Sequence, residues 1–209
     1  WLKRDELLNY EEIETIVRTM AGMGLRRVRI TGGEPLIRRD LPDLIRKISA
    51  IPEIEDLSLS TNAVLLADQA QDLRDAGIQR LNISLDSLQQ DRVDEIARRP
   101  GSFPKIFEGL EAAERVGFAP IKVNVVLIRG RNDDEIEDFA RITKERPWHV
   151  RFIEMMPTGS NLDLSANSFI SCQEALTRVR AIDQLEPVDG PFGNGPADYY
   201  RFPDAPGTV

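Results

Sequence analysis

Residues that bind metal ions are scarce in this sequence. Its 209 residues include one cysteine, Cys172, and one histidine, His149. A single cysteine cannot form an internal disulfide, and such cysteine usage is typical of a reducing compartment, so we expect a cytoplasmic location. It also excludes any metal cluster that is held only by cysteines of this chain.

Long apolar runs and an excess of positive charge are lacking as well. No apolar stretch approaches the ~20 residues that a membrane-spanning helix needs, and the first residues do not resemble a signal peptide. Lysine and arginine total 27 against 35 aspartates and glutamates, which gives a net charge of −8. This acidic balance argues against bulk nucleic-acid binding but allows a local basic pocket. We therefore expect neither a membrane nor a nucleic acid as a partner.

The sequence does contain a regular alternation of helix and strand signals. Hydrophobic residues make up 41% and charged residues 30% of the chain, as in a globular protein. The residue patterns predict five strands, at 26–31, 56–62, 80–86, 121–128 and 149–156. Helices are predicted between them, with Asn9, Asp40 and Asn132 as N-cap residues. Strands separated by helices form parallel sheets with right-handed crossovers, so we expect an α/β fold.

Most of the predicted strands have one apolar and one polar column of side chains. In the second strand, Ser58 and Ser60 alternate with Leu57 and Leu59. A doubly wound sheet would have continuously apolar strands, and an ordinary closed barrel would have an apolar interior. The polar columns therefore predict an incomplete, wider barrel that encloses a ligand. The alternative is a packed core in which these polar groups bond one another.

Two of the polar columns contain a cation, Arg29 in the first strand and Lys122 in the fourth. A charge inside a barrel needs an anion to offset the cost of its desolvation. Asp86 and Glu154 are candidates within the chain. The other interpretation is a polyanionic ligand such as a phosphate chain, which suits an arginine fork and a lysine point charge.

The loop after the first strand has the sequence Thr-Gly-Gly-Glu-Pro-Leu, at residues 31–36. It follows the carboxyl end of a strand, where barrels hold their active sites. Gly32 and Gly33 allow a ligand to approach the backbone, and Glu34 supplies an acceptor. Paired glycines alone are a weak signal, whereas the longer string that runs from Arg29 to Leu41 is specific.

That string resembles a motif of the radical S-adenosylmethionine (SAM) superfamily. Further segments resemble the GTP 3′,8-cyclase family of molybdenum cofactor biosynthesis, at 58–62, 81–87, 122–126, 130–136 and 151–156. The resemblance implies an α/β fold, an open, partial parallel (β/α)6-type TIM barrel, with five strands here and one before residue 1. We expect residues 1–160 to form this barrel. Residues 161–209 are expected to be an extension packed on the barrel and not an independent domain.

The resemblance also implies a function and a set of binding residues. It implies a lyase that converts GTP to 3′,8-cyclo-7,8-dihydro-GTP and that uses SAM and two 4Fe–4S clusters. The implied SAM contacts are Gly33, Glu34, Ser84 and Met156. The implied GTP contacts are Arg29, Ser60 and Lys122, together with their neighbours Thr61, Asn62 and Arg151. No catalytic side chain and no metal ligand is expected among these residues.

The family's cluster-binding cysteines are absent from this sequence, and Cys172 fits neither of its two cysteine motifs. Trp1 resembles a point just beyond the first motif and Val209 a point just before the second. We therefore expect a segment that is inactive by itself, derived from an enzyme that can form a homodimer. Two alternatives stay open at this point: another radical SAM enzyme, for instance one that modifies a peptide, or a cluster-free barrel that only binds SAM or a nucleotide.

Overall fold

A computed structural model describes residues 7–97, 100–156, 168–190 and 197–209. Five strands form one sheet in sequence order: β1 (Arg27–Ile30), β2 (Asp56–Thr61), β3 (Arg80–Ser84), β4 (Ile121–Leu127) and β5 (Trp148–Glu154). The β1–β2 and β4–β5 pairs are parallel. A parallel sheet that does not close on itself confirms the predicted α/β class.

Seven α-helices are described: α1 (Tyr10–Gly22), α2 (Leu41–Ser49), α3 (Ala70–Ala76), α4 (Gln90–Ala97), α5 (Ser102–Arg115), α6 (Ile136–Ile142) and α7 (Cys172–Arg180). Two short strands, β6 (Glu186–Val188) and β7 (Tyr199–Arg201), form a separate antiparallel pair. Within the described ranges, no helix is long and apolar enough to cross a lipid bilayer.

Local sequence signals account for the start of α1 and the packing of α2. Asn9 caps α1 as predicted: its side chain accepts from the Glu12 N–H, and the Glu12 carboxylate accepts from the Asn9 N–H, both at 2.8 Å. The apolar face of α2 is buried as its spacing predicts, with Leu44 and Ile45 among its members. Burial of such a face supplies most of a short helix's stability.

Two predicted N-cap residues occupy the N-cap position of a helix or 3-10 turn, but their side chains make no capping hydrogen bond. Asp40 occupies the position before α2, but its φ is 56° and its side chain makes no capping hydrogen bond. Asn132 precedes a 3-10 turn, Asp133–Glu135, and the α-helix begins only at Ile136. The Asn132 side chain instead donates to the carbonyl oxygens of Asp86 and Val126, at 2.7 and 2.8 Å. The Asn132 side chain therefore connects the segment after β3 to the end of β4.

The chain divides into two compact units, each described here by itself. The first contains residues 1–81 and 108–119, and the second contains residues 82–107 and 120–209. The expected boundary near residue 160 stays a prediction. In the second unit, Thr208 forms a parallel bridge with His149, and the Val150 N–H donates to the Thr208 carbonyl at 2.9 Å. The last described residues thus pair with β5.

Candidate functional site

The loop that follows β1 is fixed by the carboxylate of Glu34. The Leu36 N–H and the Thr61 hydroxyl donate to its Oε1, at 3.0 and 2.7 Å. The Asn62 N–H donates to its Oε2 at 2.8 Å. A carboxylate is an acceptor only and can receive all three donors. Glu34 therefore connects the glycine loop to the end of β2, and it brings together the predicted site residues Glu34, Thr61 and Asn62.

The same loop lines an open cavity within the first unit. The cavity has a volume of about 940 Å³, and its walls are residues 7–11, 31–35 and 37–40. Apart from the chain neighbours, no atom of the described residues lies within 4 Å of the place where a Cβ would stand on Gly32 or Gly33. A ligand can therefore approach the backbone here. The volume lies in the range of small-molecule sites.

The remaining predicted residues of the first unit lie on β1 and β2. Arg29 is in register with Ser58, so these two side chains share a face, and Ser60 shares it by alternation along β2. Arg29 is exposed and Ser60 is half-buried. Thr61 points to the other face, because successive side chains alternate along β2. From there its hydroxyl donates to Glu34. The predicted GTP contacts of this unit thus divide between two faces of the sheet.

In the second unit, polar side chains collect on one face of β4 and β5. The register pairs Lys122 with His149 and Asn124 with Arg151, so all four share a face. We call these four residues the cationic face. The apolar residues between them on β4, among them Val123, are buried on the opposite side.

Arg151 is held in place by two asparagines. Its Nε and Nη2 donate to the Asn124 Oδ1 at 2.9 and 2.6 Å, and Nη2 also donates to the Asn82 Oδ1 at 2.9 Å. Neutral amides orient the guanidinium without cancelling its charge. Arg151 therefore keeps its full positive charge in a fixed orientation, as an anion-binding arginine requires.

Lys122 is deeply buried for a charged residue, with 5% of its surface exposed. Its Nζ lies 5.6 Å from the centroid of the Tyr199 ring, within the range of a cation–π interaction. A buried ammonium is costly unless its surroundings compensate the charge. The two carboxylates considered as partners accept from backbone groups: Asp86 accepts from the Val126 N–H, and Glu154 accepts from the Cys172 N–H, both at 2.8 Å.

His149, which sequence reasoning did not include among the site residues, also lies on the cationic face. The ring Nδ1 lies 2.8 Å from the Thr208 hydroxyl. Burial of the ring, together with the charges of Lys122, Arg201 and Arg151, lowers the pKa of His149 to about 4. Strand alternation was the signal that could have found it, since His149 precedes Arg151 by two residues and therefore shares its face.

The two other predicted SAM contacts lie at strand ends. Ser84 is the last residue of β3 and is exposed. Met156 comes two residues after β5 and has 70% of its surface exposed. Between these positions along the chain, Asp86 is partly buried, and this burial raises the pKa of its carboxyl, although the hydrogen bond from Val126 opposes the shift. Neither Ser84 nor Met156 is packed into the core, so both are accessible to a ligand.

The residues of this chain do not fit an iron–sulfur cluster. Such clusters need several thiolates, and the sequence has one cysteine. Partial desolvation and the charge of Glu154 raise the pKa of the Cys172 thiol, which disfavours the thiolate that would bind iron. In the described part of the chain, no group of three His, Cys, Asp or Glu residues could hold a metal ion.

Comparison with known proteins identifies the family. Residues 1–142 match the Radical SAM superfamily. The chain belongs to this superfamily. The resemblance inferred from the Arg29–Leu36 string is thereby confirmed, and so is the expectation of an enzyme family that uses SAM.

Curated relatives show which radical SAM proteins this chain is similar to. It is 46% identical over 209 residues to a GTP 3′,8-cyclase of Pelotomaculum thermopropionicum, covering 100% of this chain and 64% of that protein. It is 43% identical over 205 residues to a GTP 3′,8-cyclase of Moorella thermoacetica, covering 98% and 63%. The chain thus spans less than two thirds of the length of these relatives.

Solved structures support the fold. Coproporphyrinogen III oxidase of Escherichia coli, a radical SAM enzyme, matches with a TM-score of 0.59 and 17% identity, over 81% of this chain and 43% of that one. A radical SAM methyltransferase of Sphaerobacter thermophilus matches with a TM-score of 0.59 and 21% identity, over 83% and 52%. At such identities the likeness concerns the fold alone, and it agrees with the predicted open, partial barrel.

Proposed function

We propose that this protein is a GTP 3′,8-cyclase, a lyase that converts GTP to 3′,8-cyclo-7,8-dihydro-GTP in molybdenum cofactor biosynthesis. The observation that carries the proposal is the cationic face, where a buried lysine and an oriented arginine lie on adjacent strands. In a chain of net charge −8, such a concentration of positive charge is selective for an anion. The similarity to GTP 3′,8-cyclases, two of which are named above, supports GTP as that anion.

The two cations of the cationic face, Lys122 and Arg151, have distinct roles in this proposal. Lys122 supplies a point charge to the phosphate chain, and its burial strengthens the attraction. Arg151 supplies a planar fork whose orientation Asn82 and Asn124 set before the ligand arrives. Preorganised donors of this kind lower the entropy cost of binding. That Arg29 and Ser60 contact the same GTP molecule stays a prediction.

SAM fits the cavity of the first unit. The open backbone at Gly33 can approach the ligand closely, and Glu34 has a fixed orientation beside it. Under the proposal, these two residues bind the methionyl amino group. That Ser84 and Met156 also contact SAM stays a prediction. When bound, SAM supplies the radical chemistry of the superfamily. The chain's own residues bind and orient both ligands.

The cluster ligands are proposed to lie in the part of the relatives' length that this chain does not span. The 209 residues alone are then expected to bind GTP and SAM without turnover. The number of clusters, homodimer formation and the cytoplasmic location belong to the same proposal.

The proposal is tested with the full-length protein after anaerobic reconstitution of its clusters, in the presence of SAM and a reductant. We expect conversion of GTP, but not of ATP, to a cyclised isomer that chromatography and mass spectrometry detect. Lys122→Met should lower kcat/KM for GTP at least tenfold, whereas Lys105→Met, a change at an exposed lysine of α5, should leave it unchanged.

Two results would contradict this function. Equal kcat/KM values for the two lysine variants would show that the cationic face does not contribute to GTP binding. Cleavage of SAM without any GTP product, in a protein that modifies an added peptide, would favour the peptide-modifying alternative.

A further inference from the structure

His149 occupies a defined position on the cationic face. It is the register partner of Lys122 across β4 and β5, and it shares its face with Arg151 two residues along the strand. Its Nδ1 is fixed by the Thr208 hydroxyl at 2.8 Å, so the ring has a set orientation and Nε2 is the nitrogen that Thr208 does not engage. In a protonated imidazole both ring nitrogens carry a proton, so Nε2 can then donate to an anion.

Among the described residues, the charged groups that act on this ring all have the same sign. Lys122 on β4, Arg151 on β5 and Arg201 on β7 each disfavour a protonated imidazole. No carboxylate of the described residues is among the groups that act on it. An additional positive charge on the empty face would therefore be repelled by three cations in a partly desolvated site. A polyanion bound on this face would reverse the sign of that field.

We infer that His149 is a further anion contact of the cationic face, neutral while the face is empty and protonated when a polyphosphate occupies it. This inference rests on the proposed function, because it assumes that Lys122 and Arg151 bind the phosphate chain. The proton comes from solvent, and the bound complex carries one more proton than the free protein and free ligand together. Binding and protonation of His149 therefore promote each other by linkage.

The consequence is a pH dependence of affinity. Between the pKa of the ring in the empty protein, about 4, and its higher value in the complex, affinity should increase as the pH falls. The increase approaches about tenfold per pH unit where uptake is complete. Phosphates also titrate in this range and weaken binding when they gain protons. The difference between wild type and a His149→Gln variant removes that contribution, since both proteins bind the same ligand.

The direct test is NMR of the full-length protein with isotope-labelled histidine. The His149 signal is identified as the one that disappears in His149→Gln. It is titrated from about pH 4 to pH 8, with and without inorganic tripolyphosphate. We expect the ligand to raise the midpoint by about one unit or more, which corresponds to at least a tenfold stabilisation of the protonated ring. Calorimetry in buffers of different ionisation enthalpy should show more proton uptake for wild type than for His149→Gln.

The outcomes separate the inference from the proposed function. If tripolyphosphate binds and Lys122→Met weakens it, but the midpoint of His149 does not move, the inference is wrong and the proposed function stands. If neither tripolyphosphate nor GTP binds to wild type, the proposed function fails. Lys105→Met should show the same midpoint shift as wild type, and a loss of the shift there would also overturn the inference. The wild-type titration depends on a folded variant only for the identification of the His149 signal.

Discussion

The Thr61 hydroxyl donates to the Glu34 carboxylate at 2.7 Å, which connects the loop after β1 to the end of β2. The Asn62 N–H donates to the other carboxylate oxygen at 2.8 Å. Glu34 is thus a candidate ligand contact and also holds two segments together. We call its hydrogen bonds with Thr61 and Asn62 the Glu34 brace. The position of the glycine loop, and with it the shape of the cavity, depends on this carboxylate.

Replacement of Glu34 by glutamine should disturb this brace. An amide keeps one acceptor oxygen, but its NH2 group then faces a backbone N–H, of Leu36 or of Asn62, that cannot accept from it. We expect a loss of about 1–3 kcal/mol in the free energy of unfolding, measured by urea denaturation. Thr61→Val removes one donor to Glu34 and the acceptor of the buried Ala63 N–H, so it should also lower stability, whereas Glu53→Gln at an exposed site should change nothing. Wild-type stability of Glu34→Gln would show that the brace is dispensable.

Arg151→Lys keeps the charge but removes the fork. Lysine cannot donate to Asn82 and Asn124 with the same geometry, and the Oδ1 of Asn82 lies in a side chain that is only 2% exposed. We expect a loss of about 1–3 kcal/mol in stability, together with weaker binding of tripolyphosphate in a calorimetric titration. The matched control is Arg141→Lys, because Arg141 forms an exposed ion pair with Asp138. Equal effects of the two changes on tripolyphosphate affinity would contradict the role of Arg151.

Glu135 is the centre of a buried network in the second unit. Its carboxylate accepts from the Ser87 hydroxyl at 2.7 Å and from Arg92 at 2.6 Å, and only 1% of the residue is exposed. Glu135→Gln places an amide NH2 in a buried site that is surrounded by donors, and it removes a charge opposite the partly exposed Arg92, so we expect a loss of about 1–3 kcal/mol in the free energy of unfolding. Asp134→Asn removes the exposed partner of the same arginine and should cost about 1 kcal/mol or less. A larger loss from Asp134→Asn would reverse this ranking.

Stability should also depend on the protonation of His149. Its pKa is lowered from 6.5 to about 4 in the folded protein, so the unfolded chain takes up the proton first as the pH falls. Stability is therefore present above about pH 6.5 and is lost as the pH falls toward about 4. The pKa difference limits the loss to about 3 kcal/mol, and solvent around the half-buried ring reduces it further.

The measurement is chemical denaturation at several pH values between about 4.5 and 7. His149→Gln should have a flatter profile than wild type over this window. Parallel profiles would mean that the ring gains its proton as easily in the folded protein as in the unfolded chain.

Local sequence patterns predicted the helices and strands. The structure differs from these predictions where a long-range contact fixes a side chain. Asn9 and Glu12 cap α1 as predicted, because both partners of that motif lie within one turn. Asn132 was predicted as a cap and instead binds the backbone at Asp86 and Val126, which are 46 and 6 residues away. The sequence alone does not specify such distant acceptors.

The same limit applies to the candidate site: local motifs were sufficient for some residues, and long-range contacts were needed for others. Motif resemblance was sufficient to select Glu34 and Lys122, since each lies in a specific string of residues. The place of His149 required the register between β4 and β5, which pairs it with Lys122. Register depends on how two strands meet in the folded protein, and the single sequence did not define it.

The most direct test of the central claim is a crystal structure of the full-length protein with GTP bound. The account predicts phosphate oxygens within about 2.7–3.2 Å of the Lys122 ammonium and the Arg151 guanidinium, on the face that they share with His149. A well-ordered GTP whose phosphates contact neither residue would contradict it.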